Sequence, residues 1–151
     1  MPAPSSKGRL ISMLEENKTV ARHLYQRVSE GDLDVVDEVI SDDFVEHEEM
    51  PGLEPNKAGV RQMFKMFINA FEGAKFEVDD MIDEGDKVFA LVRLTGVHRA
   101  DFMGVPPSGR AIDVGVADSF RFADGQAVEH WGGNGYRCDD AAVSRMTNSC
   151  C

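Results

Sequence analysis

HRADFMGVPPSGRAIDVGVADSFRFADGQAVEHW, residues 98–131, is the stretch from which the fold of this chain can be read. Side chains of a strand point alternately to its two faces. On that rule Val116, Asp118, Phe120 and Phe122 share one face, and Ala117, Ser119 and Arg121 share the other. Asp124-Gly125 is a two-residue hairpin signal, and QAVEHW behind it reads as the returning strand. Pro106-Pro107 followed by Ser108-Gly109 breaks any regular structure and makes the preceding segment a rim loop.

Upstream, KVFALVRLTGVH continues the period of two. Val88, Ala90, Val92, Leu94, Gly96 and His98 form one face, and Phe89, Leu91, Arg93, Thr95, Val97 and Arg99 the other. Apolar residues on both faces predict cover on both sides, from helices on one and in part from another chain on the other. Phe76, Val78 and Ile82 alternate with acids in the strand before it, across a turn at Glu84-Gly85-Asp86.

Ahead of Gly73 the period is helical. Val60, Phe64, Phe67, Ile68 and Phe71, with Met63 and Met66 beside them, predict a helix capped by Asn56 and ended by Gly73. Val20, Ala21, Leu24, Tyr25 and Val28 predict an earlier helix that stops at Gly31, and Asp32 caps a shorter one bearing Leu33, Val36, Val39 and Ile40. Between them SDDFVEHEEMPGLEPN reads as a turn and loop in which Phe44 and Val45 bury locally. Helices first and a strand meander afterwards make an α+β domain over residues 16–137. Its helices gather on one face of a curved, mostly antiparallel sheet that encloses an apolar cavity. Residues 1–15 read as a loose lead-in and 138–151 as a polar tail.

Composition narrows the partners. A chain of 151 residues fits one domain. Its net charge of −11 opposes nucleic acid and anionic membranes. No apolar run reaches membrane-spanning length, and MPAPSSKGR has no apolar core for secretion, so a cytoplasmic protein is expected. Cys138, Cys150 and Cys151 form no metal-binding pair and predict free thiols.

Asp118 is the sharpest chemical feature. A carboxylate among large apolar neighbours loses solvation and is prepared to exchange a proton near neutral pH. His98, at the end of its strand, and His130, in the last strand, are expected to converge with it as the catalytic group. His47 stands at the mouth, where it would polarise a carbonyl or pair on the surface. Phe64, Phe67, Val92, Leu94, Phe120 and Asn134 are expected to line the substrate pocket. His47, His98, His130 and Asp118 could in principle ligate a metal, yet no local ligand pair supports one, and none is expected.

DDFVEHEEMPG, GVRQMF, EGDKVFALVRLTGVHRADFMGVPPSGR and DSFRFADGQAVEHW together resemble the SnoaL-like polyketide cyclases of the NTF2-like superfamily, across about residues 17–136. The G-x-P-P-[ST]-G loop and the R-F-x-D-G-x-x-x-E-H-W ending are specific in combination. The resemblance implies a cone-shaped α+β barrel, an apolar cavity, no cofactor, and a homodimer or homotetramer. It also implies ring closure of a polyketide-like substrate by intramolecular aldol condensation. The family's acid/base aspartate falls on Gly132 here, and a later one falls within GGNGY, on Asn134 or Gly135. Asp118 stands where antibiotic cyclases carry a pocket histidine, and His98 matches the histidine of their T-H-x-G strand end. The expectation is a cofactor-free acid/base enzyme, a cyclase or isomerase, acting on a hydrophobic carbonyl metabolite. Dehydratase or epoxide-hydrolase chemistry and plain small-molecule binding are the alternatives on this scaffold.

Overall fold

The computed structural model describes residues 2, 3 and 5–132, except for the side chains of residues 10–14. Asn134 and the three cysteines therefore lie outside the described residues. Helix α1 spans Ser6–Ser29 and begins well inside the stretch expected to be a lead-in, because the Ser5 hydroxyl accepts a hydrogen bond from the Gly8 amide. Gly31, at φ 85°, turns the chain after it. Helix α2 is the single short segment Val35–Val39.

The structure corrects the reading of the next segment. Ile40–Glu46 is a strand, β1, and not a turn. Ile40 and Phe44 are buried, whereas Val45 is 44% exposed instead of buried. Ser41, Asp42 and Asp43 conceal the strand in the sequence, because an edge strand with one wet face tolerates acids along it. Asn56 caps α3 (Lys57–Ala70) as expected, through Oδ1 and the Gly59 amide. This helix ends at Ala70, ahead of Gly73, since Phe71 already has extended backbone and opens β2 (Phe71–Glu84). Strands β3 (Lys87–His98), β4 (Ala111–Ala123) and β5 (Gln126–Trp131) follow, with Asp124 and Gly125 both at positive φ in the last hairpin.

The sheet order is β1-β5-β4-β3-β2, antiparallel throughout except for the β1–β5 pair. Register shifts in β2, between Glu72 and Lys75 and between Val78 and Asp80, act as bulges that bend the sheet. The α+β architecture with helices packed on a curved sheet is thus the one expected. No helix among the described residues is long and apolar enough to cross a membrane.

The concave face buries Val88, Ala90, Val92 and Leu94 of β3 against Ala21, Leu24, Tyr25 and Val28 of α1 and Phe64 and Phe67 of α3. Phe67 lies within 4.4 Å of Phe71, 5.3 Å of Phe76 and 5.7 Å of Phe102, measured between ring centres. Phe67 and Val92, expected on the pocket wall, are packed into this core and are not among the residues that line the cavity. Truncating Phe67 to Ala should therefore lower unfolding stability by about 3–5 kcal/mol. Val45→Ala, on the wet edge, should stay within about 0.5 kcal/mol. Urea denaturation monitored by circular dichroism measures both.

Candidate active site

Four elements bring their polar side chains to one point. Phe120 of β4 pairs with His130 of β5, so Asp118, two residues earlier on β4, lies diagonally beside His130 on the concave face. His130 Nε2 donates to Asp118 Oδ1 at 3.0 Å. Its Nδ1 donates to Glu46 Oε1 at 2.7 Å, because Glu46 of β1 pairs with His130 in the parallel ladder. From α1, the Tyr25 hydroxyl donates to Asp118 Oδ2 at 2.5 Å. Asp118 and His130 are buried, at 9% and 8% exposure.

Protonation follows from these contacts. Burial disfavours the imidazolium, yet the hydrogen bonds and charges of Asp118 and Glu46 outweigh it and hold His130 at about 10. Both ring nitrogens therefore carry protons at neutral pH. Burial and the Asp118 charge push the Tyr25 phenol well above its ordinary value, so it stays a donor.

The group faces an inner cavity of about 70 Å³ walled by Leu24, Phe44, Phe64, Phe76, Leu94, Val116 and Phe120. Met50, Val60, Met63, Glu46, Glu48 and His130 border both this cavity and a wider outer recess of about 630 Å³, lined also by Pro51, Leu53 and Pro55. The aromatic wall is a hydrophobic surface, and the polar groups stand on one side of it, the usual composition of a small-molecule site.

Asp118 and His130 meet as expected, and Phe64, Leu94 and Phe120 line the cavity. His98 does not join them. Asp118 pairs with Ala90, eight residues from His98 along β3, which separates them by roughly 25 Å at strand spacing. His98 is instead enclosed at the far end, stacked on Phe71 at 4.9 Å and accepting from the Ser108 amide at 3.3 Å, where it fastens the rim loop. His47 lines the outer recess, with its ring flat against Trp131 at 4.7 Å and Nε2 donating to Glu129 at 3.0 Å. Tyr25, Glu46 and Glu48 were not anticipated. Tyr25 has the spacing of a core residue. Glu46 shares the inward side of β1 with Phe44, which is visible only once the segment is recognised as a strand, and Glu48 follows in the bend just beyond its end.

Glu46, Glu48 and His130 offer ligand atoms within 4.8 Å of one another. Both His130 nitrogens are already engaged, so a metal there would have to displace Asp118 or Glu46.

Gly132 abuts this group. A Cβ at this position would stand 2.5 Å from Asp118 Oδ1 and 2.8 Å from His130 Nε2, so any side chain here and the Asp118–His130 pair exclude one another. Gly132→Ala is expected to separate the pair, lowering the His130 midpoint by at least about one pH unit as an ion pair is lost. Histidine ring NMR across pH measures this. The wild-type pair also predicts a pH profile of stability. A charge held from an unfolded value of 6.5 up to about 10 stabilises fully below 6.5, and that contribution is lost as pH rises through 10. Urea midpoints should decline across that window in the wild type and flatten in His130→Gln.

The family model of SnoaL-like polyketide cyclases matches residues 18–136. TsrD from Streptomyces laurentii superposes with a TM-score of 0.73 at 25% identity, over 88% of this chain and 95% of that one. IdmH from Streptomyces antibioticus, assigned as a polyketide cyclase, gives 0.69 at 26% identity over 88% and 99%. A protein of Jannaschia sp. CCS1 assigned to the SnoaL-like cyclases gives 0.72 at 24% identity over 99% of both chains, a likeness of fold. No curated protein matches the chain.

Proposed function

The chain belongs to the SnoaL-like polyketide cyclase family, and we propose that it is an acid/base enzyme of the cyclase or isomerase type acting on an apolar carbonyl compound. The observation that carries this reading is Asp118, a carboxylate set into an apolar cavity and oriented by Tyr25 and His130. Each carboxylate oxygen has two lone-pair sites, so one bond to each leaves capacity for an incoming proton. Asp118 removes a proton from a carbon next to a carbonyl group, and the resulting enol carbon attacks a second carbonyl of the same molecule. His130 and Tyr25 keep the carboxylate aimed, and His130 contributes a positive charge beside the developing enolate. Beside an apolar wall that charge acts at short range through a lowered dielectric.

The narrow inner cavity takes the reacting edge of a ring or chain, and the outer recess takes the remainder. This division suits a substrate larger than the inner cavity, such as a polyketide-like precursor.

Proton abstraction can be followed without the natural substrate, through hydrogen–deuterium exchange at the activated carbon of 2-tetralone, read by NMR in heavy water. Asp118→Asn is expected to reduce the enzyme-catalysed exchange by about 100- to 10,000-fold, the usual worth of a general base. Exchange within tenfold of wild type would remove Asp118 from that role.

A further inference from the structure

We propose that Glu48 is the second proton-transfer residue of this site, the acid that serves the substrate's carbonyl oxygen while Asp118 serves the carbon. The inference rests on the proton-abstraction reading and adds its missing half. An enol forms readily only if the oxygen receives a proton as the carbon loses one, and the donors around Asp118 are already committed to it.

Glu48 stands in the right place. It lies two residues beyond the end of β1, where its amide donates to Glu46 Oε1 at 3.0 Å. It borders both the inner cavity and the outer recess, so a substrate passing between them meets it. One of its carboxyl oxygens is within 4.8 Å of ligand atoms of Glu46 and His130. Among the described residues, no side chain takes a hydrogen bond from its carboxyl group, so its proton is available.

The surroundings favour that proton. Glu46 and Asp118 already share the one ring of His130. An ionised Glu48 would place a further negative charge at the rim of an apolar cavity. Facing it are Glu46 on β1, Asp118 on β4, His130 on β5 and Tyr25 on α1. The recess is lined also by Glu49, Glu54 and His47, while α3 presents Gly59, Val60, Met63 and Phe64, none of them titratable. Burial pushes Glu48 up to about 7; the His130 charge opposes this, and those of Asp118 and Glu46 reinforce it. A carboxyl group raised to about 7 beside the cavity can hold and release a proton near neutral pH, as a general acid must.

The step balances. Asp118 takes the proton from carbon, the carbon–hydrogen electron pair becomes the enol double bond, and the carbonyl π pair moves to oxygen. Glu48 gives its proton to that oxygen and becomes a carboxylate. When the enol carbon bonds to the second carbonyl, Glu48 recovers the enol proton and Asp118 delivers its own to the new alkoxide. Both residues finish as they began.

The full chain, labelled with carbon-13, tests this by NMR titration of its glutamate carboxyl carbons, with Glu48→Gln identifying the resonance. A midpoint close to 7 that falls in Asp118→Asn is expected; a midpoint below about 5, near an ordinary glutamate, overturns the proposal. In parallel, 2-tetralone exchange by wild type should decline as pH rises through 7. In Glu48→Gln, exchange below pH 7 should drop at least tenfold and lose that decline. Wild-type rates with an unchanged pH profile in Glu48→Gln also overturn it. An exchange rate that Asp118→Asn leaves intact counts against Asp118 as the base, whereas the Glu48 midpoint is read without any substrate.

Discussion

The hydrogen bonds that His130 makes on both sides, to Asp118 and to Glu46, are the constraint on which this molecule depends. They tie together three strands, β4, β5 and β1, and through Asp118 they reach Tyr25 on α1. Desolvating three charged groups is costly, and the attraction between them repays the cost only when geometry is good. Both ring nitrogens meet a carboxylate at hydrogen-bonding distance, which satisfies that condition. Removing one partner would leave a buried charge without its counterpart, a loss commonly worth about 3–5 kcal/mol. The parallel edge of the sheet, the position of the first helix and the chemistry are therefore held by the same contacts.

Around this polar group the structure divides an apolar interior into filled and open halves. Phe67, Phe71 and Phe102 close one end by ring packing, with His98 stacked on Phe71. At the other end Phe64, Phe76 and Phe120 wall a cavity and leave it unfilled. Unfilled apolar space weakens a fold. Here it lies beside the ion pairs, where exclusion of water strengthens every electrostatic contact. Gly132 belongs to the same economy of space, since Asp118 and His130 fill the volume that a side chain there would need. The aspartate that family resemblance places at 132 and the aspartate present at 118 are two solutions that cannot share one pocket.

Much of this could be read from alternation alone. Asp118 among Val116, Phe120 and Phe122 announced a buried acid, and the 124–125 turn placed His130 beside it. Alternation assigns a face, however, and not a depth along the strand, which is why His98 seemed to belong to the same cluster. Only the β3–β4 register separates them. Tyr25 was indistinguishable from its helical neighbours, because a phenol buried against a carboxylate has the same spacing as one buried against hydrocarbon. Glu46 and Glu48 were hidden by a different cause. Glu46 ends a strand that pairs with β5, more than 80 residues away by the His130–Glu46 contact, and Glu48 follows it; no local pattern encodes a parallel partner at that distance.

Trp131 gives the site an optical property of its own. It is the single tryptophan of the chain, so its emission needs no deconvolution from others. Its ring lies nearly parallel to that of His47, at 4°, with the Lys87 ammonium 5.1 Å from its centre. His47 borders the outer recess, while the residue preceding Trp131 is His130 itself. Any molecule that enters the recess and shifts His47 changes what the indole touches. Fluorescence of the unlabelled protein can therefore serve as a direct gauge of occupancy, allowing compounds to be screened before a reaction is in hand.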